Sequence, residues 1–100
     1  MSEAICPKFE KAMSMLSKRW VGLIIDQLLD GPKRFNELES AVKLSAKVLS
    51  ERLKFLEEEG VVRREVIADT PVKITYELTE KGKSLRPLMD STRSWAEHWL

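Results

Sequence analysis

SAKVLSERLKFLEEEGVVRREVIADTPVKITYEL, residues 45–78, changes its hydrophobic period partway along. From Ser45 to Glu59 the apolar residues Val48, Leu49, Leu53 and Leu56 recur at three- and four-residue steps, the spacing of a helix with one buried stripe. Ser45 is placed to cap that helix and Gly60 to end it. Beyond Gly60 the pattern alternates. VVRREVI (61–67) and VKITYEL (72–78), joined by ADTP, predict a β-hairpin, with Val72, Ile74, Tyr76 and Leu78 sharing one face of the second strand. A helix running directly into a two-stranded ribbon is the second half of a winged helix-turn-helix.

Working outward, FNELESAV (35–42) reads as a short helix with Phe35, Leu38 and Val42 on one side. DGP (30–32) stops a preceding helix, KRWVGLIIDQLL, whose apolar residues cover most of its circumference and for which Ser17 is the expected cap. Pro7 suits the first turn of a still earlier helix containing Phe9, Ala12, Met13 and Leu16. Downstream, Thr79 is the expected cap of a last helix running to the end of the chain, bent at Pro87. The predicted order is helix, helix, short helix, long helix, hairpin, helix. The expected fold is mainly α with a small β-hairpin, a winged helix-turn-helix domain spanning residues 1–100 with helices added at both ends.

On the wheel of the 45–59 helix, Ser50, Lys54, Lys47 and Glu51 fall almost opposite the apolar stripe. Lysine and serine donate to phosphates and base edges, and a helix fits the DNA major groove. Arg52 falls within the apolar stripe, where a paired structural arginine and a phosphate contact are both open readings. Net charge is only +1, but residues 33–54 carry six basic groups against three acidic ones. Lys33 and Arg34, ahead of the short helix, and Thr70 and Lys73, at the hairpin tip, flank the long helix as backbone contacts. The expected DNA-binding set is therefore Lys33, Arg34, Ser45, Lys47, Ser50, Lys54, Thr70 and Lys73.

Other functional classes find little support. Cys6 is the single cysteine and His98 the single histidine, so a Cys/His nucleophile pair lacks an orienting third group. C-x-x-C, Gly-rich phosphate loops and metal-ligand spacings are absent from the sequence, and neither enzymatic activity, a metal nor a cofactor is expected. The first residues show no basic region followed by an apolar stretch, and no run approaches the roughly 20 apolar residues of a membrane span. A cytoplasmic protein is expected, where an unpaired thiol stays reduced. A winged-helix module that binds only other proteins, with a structural Cys6, is the alternative.

CP (6–7), KRW (18–20), DGPKRFNEL (30–38), S-x-K-V-L-x-x-R-L-x-x-L-E (45–57), Y-x-L-T-E-K-G (76–82) and RSWAEHW (93–99) occur in this order along nearly the whole chain. Together they resemble the HxlR-type winged-helix transcriptional regulators, and are most similar to their thiol-based, quinone- and electrophile-sensing branch. The resemblance implies a homodimer on a roughly palindromic double-stranded operator, paired through the terminal helices, with Cys6 in the sensor position. Phe9, Met13, Leu85, Leu88, Met89, Trp95 and Trp99 are then the dimerisation residues. The apolar stripe of the last helix points the same way, since one small domain offers little to cover it. Ala46 departs from the polar residue that many members carry there, and no cysteine follows Cys6.

Cys6 itself admits two readings. Free cysteines are often simply buried. A helix amino-terminus with Lys8 and Lys11 nearby instead favours a thiolate, the species that attacks quinones. With one cysteine per chain, its chemistry reduces to alkylation, a mixed disulfide, or a disulfide to the partner chain.

Overall fold

The structure is a computed structural model, and it describes residues 4–100. Residues 1–3, the start of the expected domain, lie outside the described residues. The elements run α1 (Pro7–Leu16), α2 (Val21–Leu28), β1 (Lys33–Arg34), α3 (Phe35–Val42), α4 (Ala46–Glu58), β2 (Val62–Ile67), β3 (Lys73–Leu78), α5 (Glu80–Lys83) and α6 (Arg86–Trp99). This is the expected winged helix-turn-helix, α3 and α4 forming the helix pair and β2–β3 the wing.

The core is aliphatic. Val21, Ile24 and Ile25 of α2, Leu38 of α3, Leu49, Leu53 and Leu56 of α4, and Val61, Val62 and Leu78 around the sheet are sealed from solvent. Each such side chain contributes about 1.5–3 kcal/mol relative to leaving it exposed. Of the α4 stripe read from the sequence, Leu49, Leu53 and Leu56 are buried and Val48 is half-buried. Ser45 caps α4 as expected, its Oγ accepting from the Val48 amide at 3.2 Å. Gly60, at φ +74, closes it in a left-handed conformation that favours glycine.

Four expectations are corrected. First, the wing is not a lone hairpin: β1 joins β3 to make a three-stranded antiparallel sheet in the order β1-β3-β2. Lys33 pairs with Tyr76 and Arg34 with Thr75. Two residues are too few for any alternation to show in the sequence.

Second, Ser17 does not cap the second helix. Lys18–Trp20 form a turn, and Trp20, left-handed at φ 77, is the N-cap residue of α2. Third, Thr79 caps only the one-turn α5, its Oγ1 accepting from the Gly82 amide at 3.2 Å. The chain then restarts as α6, with Pro87 in its first turn, where proline's missing amide is harmless. Proline separates two helices here and does not bend one. Fourth, Val72 is exposed near the wing tip and does not join the covered face of β3, on which Leu78 is buried and Tyr76 half-buried.

The G of the Y-x-L-T-E-K-G motif has a steric reason. A Cβ on Gly82 would lie 2.3 Å from the Val61 carbonyl oxygen. Thr79 reinforces this crossing by donating its hydroxyl to the Gly60 carbonyl at 2.5 Å.

Candidate nucleic-acid interface and thiol site

Burial of Leu49, Leu53 and Leu56 rotates Lys47, Ser50 and Lys54 outward, and all three are exposed on the free face of α4. Ser45, also exposed, uses an oxygen lone pair for its cap and keeps its hydroxyl proton available. The α3–α4 turn passes through Lys43 in the left-handed region (φ 56), whose amide donates to the Glu39 carbonyl at 2.9 Å.

Lys33 and Arg34 belong to β1, where the sheet fixes their backbones directly ahead of α3. Glu37 accepts from the Arg34 amide at 2.7 Å, pinning the entry to α3. At the wing tip Thr70 and Lys73 are exposed, and the Lys73 ammonium lies 3.8 Å from Asp69. The structure thus places the expected set on three elements: α4, the β1–α3 entry and the wing.

Arg64 was not singled out from the sequence. It lies opposite Tyr76 in β2, while Lys33 lies opposite the same tyrosine in β1. Two cations therefore flank one tyrosine across the sheet, and Arg64 forms no ion pair among the described residues. The signal was its place between Val62 and Val66, where alternation calls for an apolar residue. Arg63, on the other face, is occupied. It donates to Glu77 at 2.5 Å and lies 3.5 Å from Glu65, and the Glu77 contact holds its pKa above the usual arginine value.

The ambiguity over Arg52 also has a structural answer. Its Nε donates to the Arg19 carbonyl at 2.9 Å, and the side chain is only 22% exposed.

Cys6 is exposed at the N-cap of α1, where its carbonyl accepts the first helical hydrogen bond from Glu10. It shares an open apolar groove with Ile5, Phe9 and Met13. Burial as a core residue is thereby excluded in the isolated chain. On α6, Leu88, Trp95 and Trp99 are exposed, Trp99 by 66%, whereas Leu85 and Met89 are half-buried against the chain's own core. The expected dimerisation set thus divides into free residues and partly occupied ones. α6 is tied back to α2 by an Arg93–Asp26 hydrogen-bonded ion pair, which raises the arginine's pKa, and by Arg86 donating to the Leu29 carbonyl at 2.7 Å. Among the described residues no helix is long and apolar enough to cross a membrane.

Residues 15–100 match the family described as HxlR-like helix-turn-helix. The chain is 58% identical over 97 residues to YvaP of Bacillus subtilis (strain 168), an uncharacterized HTH-type transcriptional regulator, covering 96% of this chain and 90% of YvaP. It is 49% identical over 100 residues to the HTH-type transcriptional regulator YodB of the same organism, covering 99% and 89%. The reduced form of YodB superposes with a TM-score of 0.87 at 48% identity, over 96% of this chain and 95% of that one. Quinone-bound YodB superposes with a TM-score of 0.82 at 45% identity, over 94% and 100%. Sequence, fold and these likenesses agree: the chain belongs to the HxlR-like helix-turn-helix family of transcriptional regulators.

Proposed function

We propose that the protein is a homodimeric, DNA-binding repressor that leaves its operator when Cys6 is modified by a quinone, another electrophile or an oxidant. The observation that carries this reading is the position of the thiol. Cys6 lies exposed in the same apolar face, with Ile5, Phe9 and Met13, that a second copy would cover. A modification there acts directly on subunit packing. A TM-score of 0.82 to a quinone-bound relative supports the same chemistry.

In this reading α4 enters the major groove, presenting Lys47, Ser50 and Lys54 to bases and phosphates. Lys33, Arg34 and the neighbouring Arg64 hold the backbone on one side, while Thr70 and Lys73 hold it from the wing tip. The two α4 helices of a dimer reach half-sites about 34 Å apart on a pseudo-palindromic operator. Because that spacing is fixed, a change in subunit packing weakens binding. With a benzoquinone, Sγ bonds to a ring carbon, the thiol proton and the displaced ring hydrogen pass to the two oxygens, and the ring becomes a hydroquinone. The protein acts by binding, without turnover, in the cytoplasm.

A gel shift on the protein's own promoter region, with and without quinone or diamide, tests the reading. The wild type is expected to release DNA on treatment and Cys6→Ser to stay bound. Equal release by the variant removes the sensor role. Binding that does not fall with salt would instead support a protein-interaction module.

A further inference from the structure

Helix α1 carries no buried residue. Only its last two residues, Met15 and Leu16, pack against the core. A groove lined by Lys11, Ser14, Met15, Lys18, Phe55 and Glu59 separates it from the C-terminal half of α4. α1 is therefore held at one end, with space along its flank. The chain leaves that end through the turn Lys18–Trp20, where Trp20 sits at φ 77. A bulky residue in the left-handed region costs about 1–3 kcal/mol and persists only where its surroundings enforce it.

Trp20 packs against the core, and two further contacts on the turn come from α4. Arg52 donates from Nε to the Arg19 carbonyl at 2.9 Å. The Lys18 ammonium lies 4.8 Å from the centre of the Phe55 ring. The Arg19 guanidinium in turn lies 4.5 Å from the Trp20 ring centre, closing the turn on itself. Arg52 and Phe55 belong to the helix that carries Lys47, Ser50 and Lys54, and Arg52 falls midway between the last two.

We propose that Arg52 is a positioning residue that transmits the placement of α1 to α4 through the Arg19 carbonyl. The inference rests on the reading that α4 enters DNA and that Cys6 on α1 is the sensor. A swing of α1 moves the turn, the turn carries the Arg19 carbonyl, and the hydrogen bond carries the middle of α4. The lever is long because Cys6 lies at the far end of α1 from the turn.

The test uses the full-length protein with Cys6 alkylated by N-ethylmaleimide. Sγ bonds to one carbon of the maleimide double bond, the thiol proton ends on the other, and nothing leaves. Hydrogen exchange is followed for peptides covering residues 17–21 and 46–55. In the wild type, alkylation is expected to change exchange in both segments by about five-fold or more, the lower end of ordinary site-to-site coupling. In Arg52→Met the change at 17–21 remains and the change at 46–55 falls below about two-fold, as expected once the coupling is cut. Arg52→Lys, which keeps a donor within reach, restores most of the α4 response.

An Arg52 that merely stabilises the fold would lower the melting temperature and leave the α4 response intact, and that result overturns the proposal. So does a wild-type α4 that ignores alkylation, which decides the matter even should Arg52→Met fail to fold. Gel shifts on the same samples judge the operator reading separately. An intact α4 response without quinone-driven release removes the sensor reading and leaves the transmission standing.

Discussion

In α2 and α4 one face of each helix is sealed, and Val21, Ile24, Ile25, Leu49 and Leu56 retain no exposed surface. In α1 and α6 no residue is buried, although Phe9, Trp95 and Trp99 are among the largest apolar side chains present. The difference separates two uses of amphipathic helices. The inner pair stabilises the domain by removing aliphatic surface from water within one chain. The terminal pair leaves apolar surface uncovered; α1 is tied to the body by Met15 and Leu16 at its end, and α6 by Leu85, Arg86, Met89 and Arg93 along its first half.

The largest expected effect belongs to the inner pair. Leu53→Ala should lower folding stability by about 2–5 kcal/mol in chemical denaturation, the usual result of emptying a packed leucine site. Replacing Trp95 and Trp99 together by alanine should instead dissociate the proposed dimer. Buried interface aromatics contribute about 2 kcal/mol or more each, so sedimentation at micromolar concentration should show monomer. A double variant that stays dimeric breaks the comparison, because the terminal face would then be idle.

Gly82→Ala sharpens it on the inner side. With the Val61 carbonyl 2.3 Å from the added Cβ, α5 must shift, and overpacking of this kind costs about 1–3 kcal/mol. A melting temperature equal to the wild type's would show that α5 is not held as tightly as its contacts imply. The smallest effect on folding belongs to the outer face of α4. Lys47→Ala and Lys54→Ala should leave the melting curve unchanged while each reduces the salt slope of operator binding by about one. An unchanged slope would place both lysines outside the phosphate contacts.

The sequence displays the inner region far better than the outer one, for physical reasons. α4 and the wing are legible because one side of each packs inside the chain, and that imprints a period of 3.6 or 2. The exposed positions of Lys47, Ser50 and Lys54 follow from the same stripe. β1 is too short to have a period. Trp20 hides a left-handed turn because that conformation depends on contacts of the folded chain, including its own packing on the core, whereas its residue type argues for an ordinary helix start. Pro87 reads as a bend inside one helix, whereas in the fold it starts α6, flanked by Leu85 and Met89 that pack on the core. Arg52 gave a real signal, a charge inside an apolar stripe, without indicating which carbonyl it would meet. Arg64 gave a similar one in β2. The apolar faces of α1 and α6 stay uncovered within the chain, so nothing in it imprints their use.

Among the described residues the core contains no buried polar or charged side chain. Folding and recognition therefore draw on almost separate sets of positions. Charges on α4, the β1–α3 entry and the wing can be exchanged without leaving an unpaired group in the interior. The residues around Cys6 likewise lie outside the core, so their replacement leaves the interior intact. If the protein acts as proposed, its DNA preference and its chemical trigger can each drift by surface substitutions on an unchanged core.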